Sequence, residues 1–236
     1  MTKISILGDS ISKGVVFDDS DQKYKTIKSC YANIIKDKYN IDILNYSKFG
    51  CTSTKAMKIL EWNKEKVSSS LYTLIELGGN DCDHDWAAIS ENPNLPLVPN
   101  TSLENFSDNF FKIINTIKSY GSTPVILDLP PINAERYFAK FSEDKNKENL
   151  LKFLNGDKQF VYRWHEAYNL RVTKLAIETN SLLFDIRTPF LTNRNAGDLI
   201  CKDGIHPSEQ GHEVIAKSLE QFAQRFLANT GKKETA

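Results

Sequence analysis

The chain is short of what several large classes of function require. Thirty Lys and Arg residues balance thirty Asp and Glu over 236 residues, so there is no surplus of positive charge to grip a nucleic-acid backbone, although a small anionic ligand stays open. No run approaches about 18 apolar residues, so neither a transmembrane span nor stable membrane insertion is expected. The opening MTKISILGDS lacks a cationic segment, a long apolar stretch and a small-residue cleavage site, which argues against a secretory leader. Cysteine is sparse, at Cys30, Cys51, Cys82 and Cys201, far below the density of disulfide-stapled domains. Free thiols and a cytoplasmic location are therefore expected. Neither the G-x-x-x-x-G-K-[ST] loop nor the dinucleotide glycine pattern follows the first apolar run. Repeats, heptads and low-complexity tracts are missing too, as is any linker that would divide the chain.

What is present is alternation. ISIL (4–7), IDILNY (41–46), SLYTLIEL (70–77), PVILDL (124–129) and SLLFDI (181–186) read as strands. Helical spacing separates them. Thr101 and Glu104 suggest a capping box, followed by a stripe of Phe106, Phe110, Ile113, Ile117 and Tyr120 that stops at Gly121. Val161, Trp164, Tyr168, Val172 and Leu175 form a second stripe. A last helix is expected after Pro207, capped by Ser208, with Val214, Ile215, Leu219 and Phe222 turned inward. Such repetition predicts an α/β fold with a mostly parallel sheet covered on both faces and right-handed crossovers. Residues 83–100, with three prolines, and the Lys-rich 131–159 break the rhythm. Both follow strand ends, where open α/β sheets place ligand loops, and the second has room for a short helix. One domain over 1–230 with these two insertions is expected, and 231–236 reads as a flexible tail.

Chemistry-bearing residues gather at the same strand ends. Near the C-terminus, Asp203 precedes His206 by three positions, the arrangement of a carboxylate that orients an imidazole base; taken alone, it reads more readily as helix-capping loop material. Gly78-Gly79-Asn80-Asp81 offers a side-chain amide to a developing negative charge, or an ordinary glycine turn. Gly50 sits just beyond another strand, and Gly8-Asp9-Ser10 just beyond the first. In this order and spacing, the G-D-S-I block, the isolated glycine, G-x-N-D and the late D-x-x-H resemble the SGNH (GDSL-type) hydrolase superfamily, over nearly the whole chain. The G-x-S-x-G elbow of the other large α/β hydrolase group is absent around Ser10.

The resemblance implies a three-layer, flavodoxin-like α/β/α fold with five parallel strands in the order 2-1-3-4-5. It also implies roles: Ser10 as nucleophile, His206 as base, Asp203 as its orienting acid, and an oxyanion hole made by the Ser10 and Gly50 N–H groups and the Asn80 amide. No cofactor and no metal are implied. Ile11 stands where the family often has leucine, a change between buried apolar residues. Asp9 and Asp81 are expected to make structural bonds.

Cys82, Asp83, His84 and Asp85 mix ligand types without the spacing of a metal site. His84, Asp85, Trp86 and Arg136 are expected near a substrate pocket, Trp86 either stacking on a sugar or walling an acyl slot. Cys51 beside Gly50 is a rival nucleophile without a supporting histidine. The expectation is a serine esterase for a small acyl or O-acetyl ester, carbohydrate acetates included. The alternatives are a lysophospholipase, thioesterase or acyltransferase of the same superfamily, a silent carbohydrate- or acyl-binding protein, and a phosphate- or nucleotide-binding α/β protein. A homo-oligomer stays open.

Overall fold

A computed structural model describes residues 3–230. β1 (Lys3–Gly8) runs into one turn of helix, α1 (Ser10–Lys13), and a hairpin of β2 (Val15–Asp18) and β3 (Lys23–Thr26). α2 (Tyr31–Tyr39) leads to β4 (Asp42–Asn45), and α3 (Ser53–Trp62) with α4 (Lys64–Ser68) crosses to β5 (Tyr72–Glu76). The exit from β5 carries α5 (Gly79–Cys82) and α6 (Trp86–Glu91); α7 (Leu103–Ser119) then returns to β6 (Thr123–Leu127). α8 (Ala134–Phe141), α9 (Lys147–Phe153) and α10 (Phe160–Glu178) precede β7 (Leu182–Phe184). α11 (Thr188–Leu191), a 3-10 turn at Ala196–Leu199 and α12 (Glu209–Thr230) follow. In α12 the side chains at 221–223 and 225–230, Phe222 among them, lie outside the described residues, as does the tail 231–236.

The main sheet has the order β4-β1-β5-β6-β7. Every neighbouring pair in it is parallel, with Ile6 beside both Asn45 and Leu74. Counted within the sheet this is 2-1-3-4-5, the expected order. The period of two along each strand then sorts side chains to opposite faces. Ile4, Ile6, Leu74, Val125 and Leu127 join one core with Tyr31, Ile35, Ile215 and Leu219 of α2 and α12. Leu7, Ile75, Leu77 and Ile126 join the other with α3, α7 and α10. On α7, Phe106, Phe110, Ile113, Ile114 and Ile117 are fully buried, each contributing about 1.5–3 kcal/mol as an upper estimate.

Three local expectations need correction. α7 starts at Leu103 and is capped by Ser102, whose Oγ accepts the Asn105 N–H at 3.2 Å. Thr101 is unavailable as the cap because it is tied into the loop before: its N–H donates to the Asp81 carbonyl and its own carbonyl accepts the Tyr168 hydroxyl. The segment 83–100 contains α6, and 131–159 contains two helices, α8 and α9, rather than one. Their apolar faces meet each other in a third cluster of Trp86, Ile89, Phe138, Phe141, Leu150, Leu154 and Val161. The β2–β3 hairpin was not anticipated. Ser208 does cap α12, its Oγ accepting from Gly211 N–H. Among the described residues no helix is long and apolar enough to cross a membrane.

Candidate active site

The turn after β1 is built around Gly8. A Cβ there would lie 2.6 Å from Ser12 Cβ and Oγ, so only glycine lets the strand enter α1 directly. Asp9 Oδ1 accepts the Ile11 N–H at 2.8 Å, which caps α1 and sets Ser10 at its first position. From the other end of the chain, Asp203 Oδ1 accepts the N–H groups of Ile205 and His206, each at 3.2 Å. Gly204, with φ of 82°, lets this loop press onto the start of α8: a Cβ would meet Tyr137 N at 2.3 Å. Asn133 N–H donates to the Gly204 carbonyl at 2.7 Å.

These two turns meet. Asp203 Oδ2 lies 2.5 Å from His206 Nδ1, and His206 Nε2 lies 2.9 Å from Ser10 Oγ. Asp203 is 0 % exposed, His206 3 % and Ser10 7 %. With Nδ1–H given to Asp203, the Nε2 lone pair can take the serine proton, the geometry of an activated hydroxyl. Tyr24 and Phe49 flank the imidazole, with ring centroids at 5.3 and 6.2 Å. Neither ring was foreseen; Phe49 could have been found from its place beside Gly50, whereas Tyr24 comes from the unanticipated hairpin.

Asn80 sits in α5, just past Gly78, whose φ is 139°. Its Nδ2 donates to Asp9 Oδ2 at 2.9 Å, and its carbonyl accepts Asn100 Nδ2 at 3.0 Å. Asp81 ties this turn to the glycine loop: its carboxylate takes the Ser53 N–H and hydroxyl at the start of α3. Gly50 has φ of 64° and gives its carbonyl to Lys55 Nζ. It borders the site through Phe49 and is not among the residues that line the cleft.

A buried glutamate underlies the nucleophile turn. Glu76 accepts Ser12 Oγ at 2.8 Å, Ser12 Oγ also bonds Tyr31 OH at 2.7 Å, and the Asp9 carboxyl is the charge acting on Glu76. Burial raises both carboxyls above their ordinary range, and the charge of Asp9 raises Glu76 further. The one signal in the sequence was a lone acidic residue at the end of an apolar strand.

A cavity of about 70 Å³ opens beside Ser10, walled by Ile132, Tyr137, Phe160, Val161, Trp164 and Ile205 among others. His84 and Trp86 line it as expected. Trp86 has one face stacked on Phe141 at 4.0 Å, and its Nε1 donates to Asp83 Oδ1, so the ring is fixed in the cleft wall with one face covered. Asp85 and Arg136 do not line the cleft. Asp85 is exposed and caps α6 through the Ala88 N–H, and Arg136 Nη1 donates to the carbonyls of Gly197 and Ile200, both at 2.7 Å. In each case a nearby backbone group claims the side chain. Cys51 is buried and its thiol is pushed up to about 12, first by loss of solvent, which removes it as a nucleophile. All four cysteines are free and buried.

The comparisons agree with this geometry. Residues 6–214 match the model of the GDSL-like Lipase/Acylhydrolase family. The chain belongs to that family. It is 25 % identical over 231 residues to an isoamyl acetate-hydrolyzing esterase of Saccharomyces cerevisiae, covering 95 % of this chain and 87 % of the yeast protein. The fold superimposes on a lipase/acylhydrolase from Enterococcus faecalis with a TM-score of 0.66 at 17 % identity, over 93 % of both chains. An acetylxylan esterase from Geobacillus stearothermophilus gives 0.61 at 17 % identity, also over 93 % of both. The enzyme is thus an ester hydrolase of the GDSL type, with a serine–histidine–aspartate array suited to that chemistry.

Proposed function

We propose that this hydrolase cleaves short-acyl carboxylic esters, acetates foremost, through an acyl-enzyme. His206 takes the Ser10 proton as Oγ attacks the acyl carbonyl, and Asp203 holds the imidazole in the productive tautomer. The Ser10 and Gly50 N–H groups and the Asn80 amide receive the oxyanion. His206 then protonates the departing alcohol, and water repeats the cycle on the acyl-serine. The contact of 2.9 Å between Ser10 Oγ and His206 Nε2 carries this reading.

The limited space beside Ser10 supports a short acyl group. An apolar cavity of roughly 150 Å³ is enough to hold benzene, and the cleft here is about 70 Å³. Acetate is also the acyl group in the names of the yeast and Geobacillus relatives. The same reading keeps 1–230 as one domain, since both main cores lie on one sheet. Four free thiols support a reducing, cytoplasmic setting.

A 4-nitrophenyl ester series from acetate to dodecanoate, run beside acetylated sugars with Ser10→Ala as blank, tests the reading. Turnover is expected to peak between acetate and butyrate and to vanish in the blank. A peak at dodecanoate defeats the short-acyl reading. Undiminished turnover by homogeneous Ser10→Ala defeats the nucleophile assignment.

A further inference from the structure

The cleft beside Ser10 is walled mainly by rings and branched aliphatics, yet two of its residues carry polar edges that the protein leaves unsatisfied. His84, in the loop after α5, and His165, on α10, both line the cleft, and each is only 6 % exposed. Neither imidazole makes a hydrogen bond to the described residues. His84 Nε2 and His165 Nδ1 are sealed from solvent without a partner. That leaves His84 Nδ1 and His165 Nε2 as the nitrogens through which the two rings can reach a ligand. Trp164, whose buried Nε1 is also unpartnered, lines the same cleft with its ring 6.1 Å from that of His84.

With one nitrogen of each ring already sealed without a partner, a pure hydrocarbon in the cleft would strip water from the other as well, and burying an unpaired polar group is unfavourable. Burial also holds both rings neutral, His84 pushed down to about 4 and His165 to about 3, the latter helped by the Arg187 charge. A neutral imidazole carries a donor on one nitrogen and an acceptor on the other, so the single nitrogen that each ring presents to the cleft serves as one or the other according to its tautomer. It therefore suits a hydroxyl or carbonyl oxygen better than a carboxylate or phosphate, which would call for a cation.

We propose that His84 and His165 form a polar subsite that recognises a neutral oxygen substituent, a hydroxyl or carbonyl, on the part of the ester that enters the cleft. The proposal rests on Ser10, which lines the same cleft, being the nucleophile. The preferred substrates are then short esters with a second oxygen function, not their plain hydrocarbon counterparts.

Two matched pairs of substrates test it and tell which side of the ester is read. The acyl arm compares 4-nitrophenyl 3-hydroxybutyrate with 4-nitrophenyl butyrate; the alcohol arm compares 4-hydroxybutyl acetate with butyl acetate. In one arm the wild type is expected to prefer the oxygenated ester in kcat/KM by on the order of ten-fold, the worth of one good hydrogen bond. In His84→Leu and His165→Leu that ratio is expected to fall toward the ratio of chemical reactivities, and in the Gln variants, which keep a polar edge, to recover in part. A wild-type ratio below three-fold in both arms overturns the subsite, and needs no variant to fold. So does a preference that survives intact in both Leu variants. Ser10→Ala separates the two failures. Ser10-dependent turnover without oxygen preference removes only the subsite, whereas turnover that persists in Ser10→Ala removes the nucleophile as well.

Discussion

At the residue scale, Asp9 serves two neighbours at once. Oδ1 caps α1 and thereby positions Ser10, while Oδ2 takes one amide hydrogen of Asn80 and leaves the other for a developing oxyanion. Asn80→Ala is expected to lower kcat by about 10²–10³, the usual effect of losing one oxyanion donor. Asp9→Asn keeps an oxygen for the Ile11 N–H but turns an amide NH₂ toward Asn80. The Asn80 amide must then lose its anchor or flip, presenting an oxygen to the oxyanion. A kcat loss of at least ten-fold with KM nearly unchanged is expected, and adding Asp9→Asn to Asn80→Ala is expected to cost little more, since both act through one donor. Fully additive losses measured in the double variant would contradict this. Ser10, Asp203 and His206 were legible because each lies in a short local block. The Asp9–Glu76 pair was not, because β1 and β5 bring it together only in the sheet. Arg136 and Asp85 misled for a related reason: whether a polar side chain faces a cleft or a neighbouring carbonyl or N–H is decided by tertiary packing.

At the scale of elements, the loop that carries Asp203 and His206 is held by the start of α8. Gly204 makes the contact possible, so Gly204→Ala meets two separate penalties. A left-handed backbone costs an L-residue about 1–2 kcal/mol, and overpacking against Tyr137 N and the Asn133 carbonyl costs about 1–3 kcal/mol more. For a chain of this size the sum lowers Tm by on the order of 10 °C, and kcat falls with it because the strain lies between the acid and the base. Gly156→Ala is the control. It has a similar φ of 76° but nothing within 4 Å of the added carbon, so a smaller Tm loss and unchanged kcat are expected. Equal effects of the two substitutions on kcat would show that the α8 contact does not hold the loop. Strands were readable as elements because apolar runs mark them whatever they pair with. The hairpin was not, since β2 is buried from Val15 to Phe17 and β3 is exposed along its whole length, so neither strand alternates. α8 and α9 were obscured because they bury their faces against α6 and α10 rather than the sheet.

At the scale of the whole molecule, two sets of buried groups pull its acid stability in opposite directions. His84 and His212 are pushed down to about 4 and His165 to about 3, in each case chiefly by burial, whereas an unfolded histidine titrates near about 6.5. Below that pH the unfolded chain binds protons that the fold refuses, so each histidine lowers stability by about 1.4 kcal/mol per pH unit down to its folded pKa. Asp128, pushed up to about 7 by burial, and the Asp9–Glu76 pair act the other way. There the fold binds the proton first, so acidification toward pH ~4 stabilises it. Burial raises Asp81 and Asp83 as well, so the carboxyls outnumber the histidines and the fold is expected to be no less stable at about pH 4 than at 6.5. His212→Gln uncovers one side of this balance. His212 is fully buried in α12, stacks on Tyr31, accepts its backbone N–H and is not among the residues lining the cleft, so the lost contacts add a constant offset at every pH. On top of that offset, urea unfolding is expected to show the variant gaining on the wild type as pH falls from 6.5, by about 3 kcal/mol at pH 4. A difference between the two proteins that does not change with pH would mean that His212 takes its proton inside the fold.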